Sequence, residues 1–280
     1  MRSLKAGSLR GRVIAVTGGA RGIGDATARA LASAGARVAI GDLDAGLAAR
    51  AAQQYGGLAL PLDVTSRDSF TGFLDKVEAE FGRVDGMVNN AGIMVIGRHL
   101  ETPLDAQLTQ LDVNLRGVVI GSHDAASRMV RAGGGTIVNV ASLAGRIPSP
   151  GSAVYSGTKA AVLAFSEALD GELAGQGVRV AAVLPSFTST GLIDGTTAPR
   201  LSPPITPDQV AAAVTGLFRR YRPVATVPRS LAFGSTQWAG MPIWLKRRIS
   251  RWAGLDTMFT EYDHAARAAY EERTTGPDVG

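Results

Sequence analysis

Tyr155 and Lys159 stand four residues apart, one helical turn, so on a helix the phenol and the ammonium share a face. An ammonium within reach favours phenolate and is expected to lower the phenol from its ordinary pKa of ~10 toward neutrality. A phenol tuned in this way can act as a general acid or base. Ser142, 13 residues upstream, adds a hydroxyl able to hydrogen-bond a carbonyl or alcohol oxygen. Tyr-x-x-x-Lys alone is also a common surface pair, so its meaning depends on what else the chain carries.

A second constellation lies near the start. A β-branched run at 12–16 leads into Thr17-Gly18-Gly19-Ala20-Arg21-Gly22-Ile23-Gly24 and then an Ala-rich stretch. Glycines permit a tight turn and close approach of backbone N–H groups to a phosphate, and a helix N-terminus behind the turn favours an anion. Asp42 lies 18 residues beyond Gly24, at the end of the second strand-like run. A carboxylate there accepts hydrogen bonds from adenosine ribose hydroxyls and repels a 2′-phosphate, which points to NAD. Arg21 could pair with a 2′-phosphate and so keeps an NADP-dependent reading open.

These residues need elements to position them. Runs at 12–16, 37–40, 87–89, 136–140 and 178–184 are short, rich in Val and Ile, and bounded by Gly, Asp or Pro. Residues 58–60 and 224–227 are further strand candidates. Residues 24–34, 66–81, 103–131 and 152–174 have helical length and composition, and Thr206, Pro207 and Gln209 form a helix start with a capping box. Alternation of this kind implies an α/β fold: a Rossmann-type, doubly wound parallel sheet with helices on both faces, in a single domain. The expected division is an N-terminal arm at 1–11, a dinucleotide-binding and catalytic domain at 12–228, and a basic, Trp-containing extension at 229–280.

Asn89-Asn90-Ala91-Gly92 after a strand, Asn114 within a helix, Ser142 and Tyr155-Ser156-Gly157-Thr158-Lys159 follow the Gly-rich turn in order. This ordered set resembles the short-chain dehydrogenase/reductase family in its single-domain form, over about residues 10–220. The resemblance implies a catalytic set of Asn114, Ser142, Tyr155 and Lys159. In it Lys159 also binds the nicotinamide ribose, and Asn114 holds a water that continues a proton relay. For the cofactor it implies Gly18, Arg21, Gly22, Ile23, Gly24 and Asp42, with Asp63 and Val64 at adenine. Asn90, Ala91 and Gly92 would lie beside the adenosine ribose, and Pro185, Thr188 and Thr190 at the carboxamide. Two departures stand out. Ser186 replaces the family's usual Gly after that Pro, and the chain lacks the Asp-Gly-Gly ending that supports a tetramer in many relatives.

The expected reaction is NAD-dependent interconversion of a secondary alcohol and a ketone. A non-catalytic nucleotide-binding protein would have eroded the catalytic set, and a sugar-nucleotide epimerase would carry Gly-x-x-Gly-x-x-Gly. Substrate contacts are expected from loops at 93–96, 143–151 and 187–201, through Ile93, Met94, Val95, Ile96, Leu143, Ile147, Phe187, Leu192 and Ile193. These lean apolar. Arg146 is read as an exposed loop residue.

The chain has no Cys, which excludes disulfides, thiol nucleophiles and Cys-ligated metals, and its three His are scattered, so no metal site is expected. The basic start has no apolar stretch like that of a signal peptide, and no run is long enough to span a membrane, so the expected location is cytoplasmic. The net charge of +5 is concentrated: between Gln209 and Leu255 there are eight cations and no acid. Such a distribution argues against nucleic acid as a partner. All three Trp (238, 244 and 252) fall in the same segment. A helix from Pro242 to about Ala253 would place Leu245, Ile249 and Trp252 on one face and Arg247, Arg248 and Arg251 on another arc. Packing on the body or on a neighbouring subunit is the expected role, with weak peripheral membrane contact through 238–252 and a substrate lid as alternatives. A homo-oligomer, dimer or tetramer, is expected.

Overall fold

The computed structural model describes residues 8–199 and 203–275. The first strand, β1 (Val13–Thr17), is followed by α1 (Gly22–Ser33), β2 (Arg37–Asp42), α2 (Ala45–Gln53) and β3 (Leu58–Pro61). Then come α3 (Arg67–Phe81), β4 (Gly86–Asn89), α4 (Leu104–Leu111), α5 (Gly117–Arg131) and β5 (Gly135–Val140). The chain continues through α6 (Ala153–Leu173), β6 (Val178–Pro185), α7 (Pro207–Arg219) and β7 (Val224–Val227). It closes with α8 (Ala232–Gln237), α9 (Ile243–Ala253) and α10 (His264–Thr275).

The seven strands pair in parallel in the order β3-β2-β1-β4-β5-β6-β7. The expected doubly wound sheet is therefore present. Alternate residues feed opposite faces. Ile14 and Val16 pack with Leu31 of α1 and with Val210, Val214 and Phe218 of α7. Val13 and Ala15 pack with Phe70, Phe73 and Leu74 of α3 and Met129 of α5. Both faces are covered, which is why these strands are apolar throughout. The strand order reverses between β1 and β4, so the loops leaving their carboxyl ends diverge and open a crevice.

Several elements differ locally from the expectation. The helix expected over 103–131 is interrupted by a π-helical turn at Asp112–Arg116, which carries Asn114. Turns of this kind recur at functional sites. Helix α1 starts at Gly22, two residues before the expected start, so the turn is tighter. Helix α2 is not evident in the sequence, because its Ala-rich run lacks a clear apolar period; Asp44 caps it by accepting the Leu47 N–H at 2.8 Å. Helix α10 is not evident either. Its few hydrophobic residues pack around Arg267, a cation with no exposed surface, and polar patterning does not reveal such a seat. Thr206 and Gln209 cap α7 as expected.

The C-terminal segment folds over the end of the crevice. Trp238, Met258, Phe259 and Tyr270 are buried there. Helix α9 sits with Ile249 on the cavity wall and Ala253 buried, and this seam leaves Trp252 59% exposed and Trp244 64% exposed. The expected common face of Leu245, Ile249 and Trp252 is thus divided, because tertiary contact is centred on the Ile249–Ala253 side of the helix. Among the described residues no helix is long and apolar enough to cross a membrane.

Candidate active site

The crevice is a cavity of about 1620 Å³. At one end it is walled by the Gly-rich turn and the end of β2. At the other it is walled by β5, α6, the loop after β6 and the C-terminal segment. Of the expected site residues, Gly18, Arg21, Gly22, Ile23, Asp42, Asp63, Val64, Asn90, Ala91, Gly92, Ser142, Tyr155, Lys159, Pro185, Thr188 and Thr190 line it. Gly24 and Asn114 do not.

Gly18 and Gly22 have φ of +62° and +57°, the left-handed region that glycine adopts without strain. A side chain at Gly18 would also meet the Ala91 Cα at 2.8 Å. Gly24 serves packing: a Cβ there would fall 2.0 Å from the Gly18 carbonyl oxygen. The turn is braced from β4. The Asn90 Nδ2 donates to the carbonyls of Thr17 (2.9 Å) and Gly18 (3.0 Å), and the N–H groups of Asn90 and Ala91 both donate to the Thr17 hydroxyl at 3.0 Å. Asp42 braces it from β2, with one carboxylate oxygen accepting the Ala20 N–H at 3.0 Å. Arg21 pairs with Asp44 at 3.2 Å, so the guanidinium on the cavity rim already has a carboxylate. The Asp63 carboxylate accepts from the Thr65 N–H (2.8 Å) and hydroxyl (2.7 Å), which orders the loop after β3.

At the other end, Ser142 follows β5 and its hydroxyl accepts the Ala144 N–H at 3.1 Å. Tyr155 and Lys159 project from the first turns of α6, both buried. The Lys159 Nζ donates to the Val140 carbonyl at 2.9 Å and lies 5.8 Å from the centre of the Tyr155 ring. Burial pushes Lys159 down to about 8, because the ammonium loses its hydration. Burial pushes Tyr155 up to about 12, with the Ser142 hydroxyl pulling part of the way back. The expected lowering of the phenol by Lys159 is therefore not what the protein alone produces. Desolvation of the phenolate outweighs an ammonium that faces the ring and a carbonyl. Tyr155 is held as a proton-bearing acid at neutral pH.

Asn114 sits in the π-helical turn between α4 and α5. Its side chain is fully buried, with Oδ1 accepting the Ile93 N–H at 2.8 Å. Its Nδ2 donates to the Ile93 carbonyl at 2.9 Å and to Thr158 at 3.3 Å. The amide clamps the 91–94 loop to α6. Gly92 belongs to the same clamp, since a Cβ there would come within 3.1 Å of the Asn114 Oδ1 and 3.4 Å of the Lys159 Nζ.

A buried polar line goes beyond the residues expected from sequence. The Asn89 Nδ2 donates to Asn139 at 2.8 Å and to Ser122 at 3.1 Å, and the Asn139 Nδ2 donates to Ser166 at 2.9 Å. It ties β4, β5, α5 and α6 together just beneath the cavity floor. Its signal in the sequence is a pair of Asn in otherwise apolar strands, directly opposite each other in register.

Ser186 keeps extended pairing, its N–H donating to the Val227 carbonyl at 2.8 Å. Among the described residues no non-glycine adopts a positive φ, so the departure from Gly costs no strain at this position. The Ser186 hydroxyl is buried, lines the cavity and has no hydrogen-bond partner among the described residues.

The substrate end is apolar. Ile93, Met94, Leu143, Ile147, Phe187, Leu192 and Ile193 line it as expected, whereas Val95 and Ile96 do not, and Leu201 lies outside the described residues. The remaining wall comes from the segment for which a lid was one alternative: Leu231, Trp238, Met241, Ile249, Met258 and Phe259 all reach it. Arg146 is drawn to this segment, donating to the hydroxyls of Thr236 (3.1 Å) and Ser235 (3.4 Å) on α8.

Residues 12–200 match the family model described as short chain dehydrogenase. The chain belongs to that family. It is an oxidoreductase, a dehydrogenase/reductase acting on alcohol CH–OH groups. Among curated relatives, the cis-4-hydroxycyclohexanecarboxylate dehydrogenase of Sinomonas cyclohexanicum is 41% identical over 189 residues, 66% of this chain and 76% of that protein. The D-threitol dehydrogenase of Mycolicibacterium smegmatis is 39% identical over 189 residues, 66% of this chain and 73% of that protein. A solved short-chain dehydrogenase/reductase from Burkholderia phymatum, in complex with NAD, superposes with a TM-score of 0.75 at 23% identity. That match covers 82% of this chain and 93% of that one, and it speaks for the fold. The family match stops at residue 200, so α8 to α10 lie beyond it.

Proposed function

We propose that this short-chain dehydrogenase uses NAD to interconvert a secondary alcohol and its ketone, on a substrate with a largely apolar body. The supporting observation is one continuous cavity. It carries a glycine phosphate cradle and Asp42 at one end, and Ser142, Tyr155 and Lys159 at the other, with an apolar wall beyond.

The residues present fit the dinucleotide. Gly18 and Gly22 line the cavity, a Cβ at Gly22 would reach across to 3.3 Å from Thr190, and Ser186 offers a hydroxyl without a partner among the described residues where the carboxamide is expected. In this reading Gly18, Arg21, Gly22, Ile23 and the start of α1 hold the phosphates, and Gly24 keeps the turn closed. Asp42 takes the adenosine ribose, and Asp63, Val64, Asn90, Ala91 and Gly92 border the adenosine. Pro185, Thr188 and Thr190 border the carboxamide, with Tyr155 and Lys159 at the nicotinamide ribose. NAD, when bound, supplies the hydride acceptor or donor. The protein's own part is proton transfer and positioning. Ser142 orients the substrate oxygen, Tyr155 moves the proton at that oxygen, and Lys159 keeps a positive charge beside the phenol. Asn114 acts by holding α6 and the 91–94 loop in register. NADP would bring a 2′-phosphate against Asp42 and Asp44, with Arg21 already paired, and this favours NAD.

The panel test uses secondary alcohols graded in size and polarity, with NADH formation as the readout. Apolar cyclic and acyclic alcohols should turn over, and primary alcohols of equal size more slowly. No NADH from any of them would overturn the reading.

We also infer a homo-oligomer built on α4 and α5. Leu104, Leu108, Leu111 and Val119 are 63%, 49%, 42% and 40% exposed, an apolar row too continuous for a surface that stays wet. Light scattering should give at least twice the chain mass, and Leu104→Glu with Leu108→Glu should reduce it. A monomeric wild type would refute this. For the C-terminal segment, Trp238, Met241 and Ile249 on the cavity wall support a substrate lid over membrane contact.

A further inference from the structure

Helix α10 lies outside the family match yet reaches the reacting centre. Arg267, with no exposed surface, donates to the carbonyls of Leu192 and Asp194 at 3.1 Å each and to that of Met94. It pairs with Glu271 at 3.2 Å and lies 4.7 Å from the centre of the Tyr270 ring. One guanidinium therefore fastens α10 to two substrate loops, after β4 and after β6. This latch fixes Tyr270. Its hydroxyl accepts the Met94 N–H at 2.8 Å, and Met94 packs in the same cluster as Tyr155.

Tyr270 lines the cavity and is only 6% exposed, so most of its side chain is packed against protein. The oxygen is used as an acceptor, but its proton has no acceptor among the described residues. A buried donor of this kind requires a partner. Arg267 and Arg273, 4.7 and 5.7 Å from its ring centre, are donors only, and no hydrogen bond from Tyr270 to Asp194 forms.

Resting on the secondary-alcohol reading, we propose that the Tyr270 hydroxyl is a substrate-binding donor. It selects alcohols and ketones that carry a second, neutral oxygen acceptor besides the reacting one, such as an ether, ester or further hydroxyl. Arg273 and Asp194 both line the same wall, so the local charge is balanced and a formal charge on the substrate is not demanded. Arg267 is a positioning residue for this contact.

The test uses matched pairs of nearly equal shape: 2-, 3- and 4-methoxycyclohexanol against 2-, 3- and 4-ethylcyclohexanol, with NAD and the full chain. At one or more ring positions the wild type should favour the ether by about tenfold in kcat/KM, the scale of one buried hydrogen bond. Tyr270→Phe should erase that preference, read as the ether-to-ethyl ratio of kcat/KM within each pair, whatever loss of the Met94 contact takes equally from both members. A merely structural role, through the Met94 N–H, would lower both members of each pair alike, leave the ether preference intact and overturn the proposal. So would the absence of any ether preference in the wild type, the result expected if a bound water takes the proton; this arm needs no variant. Turnover of no alcohol at all would sink the dehydrogenase reading and this proposal with it, whereas turnover without ether preference sinks the proposal alone.

Discussion

Replacing Tyr155 by Phe should cut turnover on the best alcohol by about 10²- to 10⁴-fold, the range for loss of a positioned general acid or base. The substitution keeps the ring, which packs with Met94, Ile96, Met258 and Phe259, so the fold and the cavity should survive. Dissociation constants for NAD should change little, because the Gly-rich turn and Asp42 lie at the other end of the cavity. Stopped-flow or steady-state NADH formation, with NAD binding measured separately, checks both halves. The pH profile gives a further handle. The Tyr155 proton is held to about pH 12 in the protein alone, so the acid needed for ketone reduction is present throughout the neutral range. The Lys159 charge is present below about pH 8 and lost above it. Reduction in the wild type should therefore decline above about pH 8. A Tyr155→Phe enzyme with near-normal turnover would remove the assignment.

Asp42→Asn should weaken NAD by about 10- to 150-fold, the equivalent of ~1.5–3 kcal/mol for hydrogen bonds to a charged group. It should also narrow the gap between NAD and NADP. Asn is the informative replacement because Asp42 has two duties. One oxygen accepts the Ala20 N–H and the other the Asp44 N–H, and an amide oxygen can preserve the first. Asp42→Ala would collapse the turn's support and confound charge with geometry. Titration of both cofactors into wild type and variant decides it. If the wild type already binds NADP more tightly than NAD, the Arg21–Asp44 pair opens in the complex and the NAD reading fails.

The residues proposed to bear the proton chemistry are legible because their spacing is local. Tyr155 and Lys159 share a face through one helical turn, and the Gly-rich turn must follow a strand and open a helix. The alternation of β-branched runs with Ala-rich helices likewise determines a parallel sheet covered on both faces. Less legible are residues whose work is to hold others. Asn114 clamps a loop, and Asn89 with Asn139 bridges strands, through bonds that join positions from 21 to 50 residues apart. Arg146 could not be assigned to α8 from its own neighbours, because its partners are about 90 residues downstream.

By itself the amino-acid sequence determined the sheet, the Gly-rich turn and the shared face of Tyr155 and Lys159, because each rests on periodicity or short spacing. Only the tertiary structure decided the protonation of Tyr155 and the completion of the substrate end. The first depends on how deeply a phenol is desolvated, which no spacing encodes. The second depends on Arg267 burying its charge against carbonyls of Met94, Leu192 and Asp194, contacts spanning up to 173 residues. Those bonds bring Tyr270 to the cavity that Tyr155 also lines, and they exist only once the chain has closed on itself.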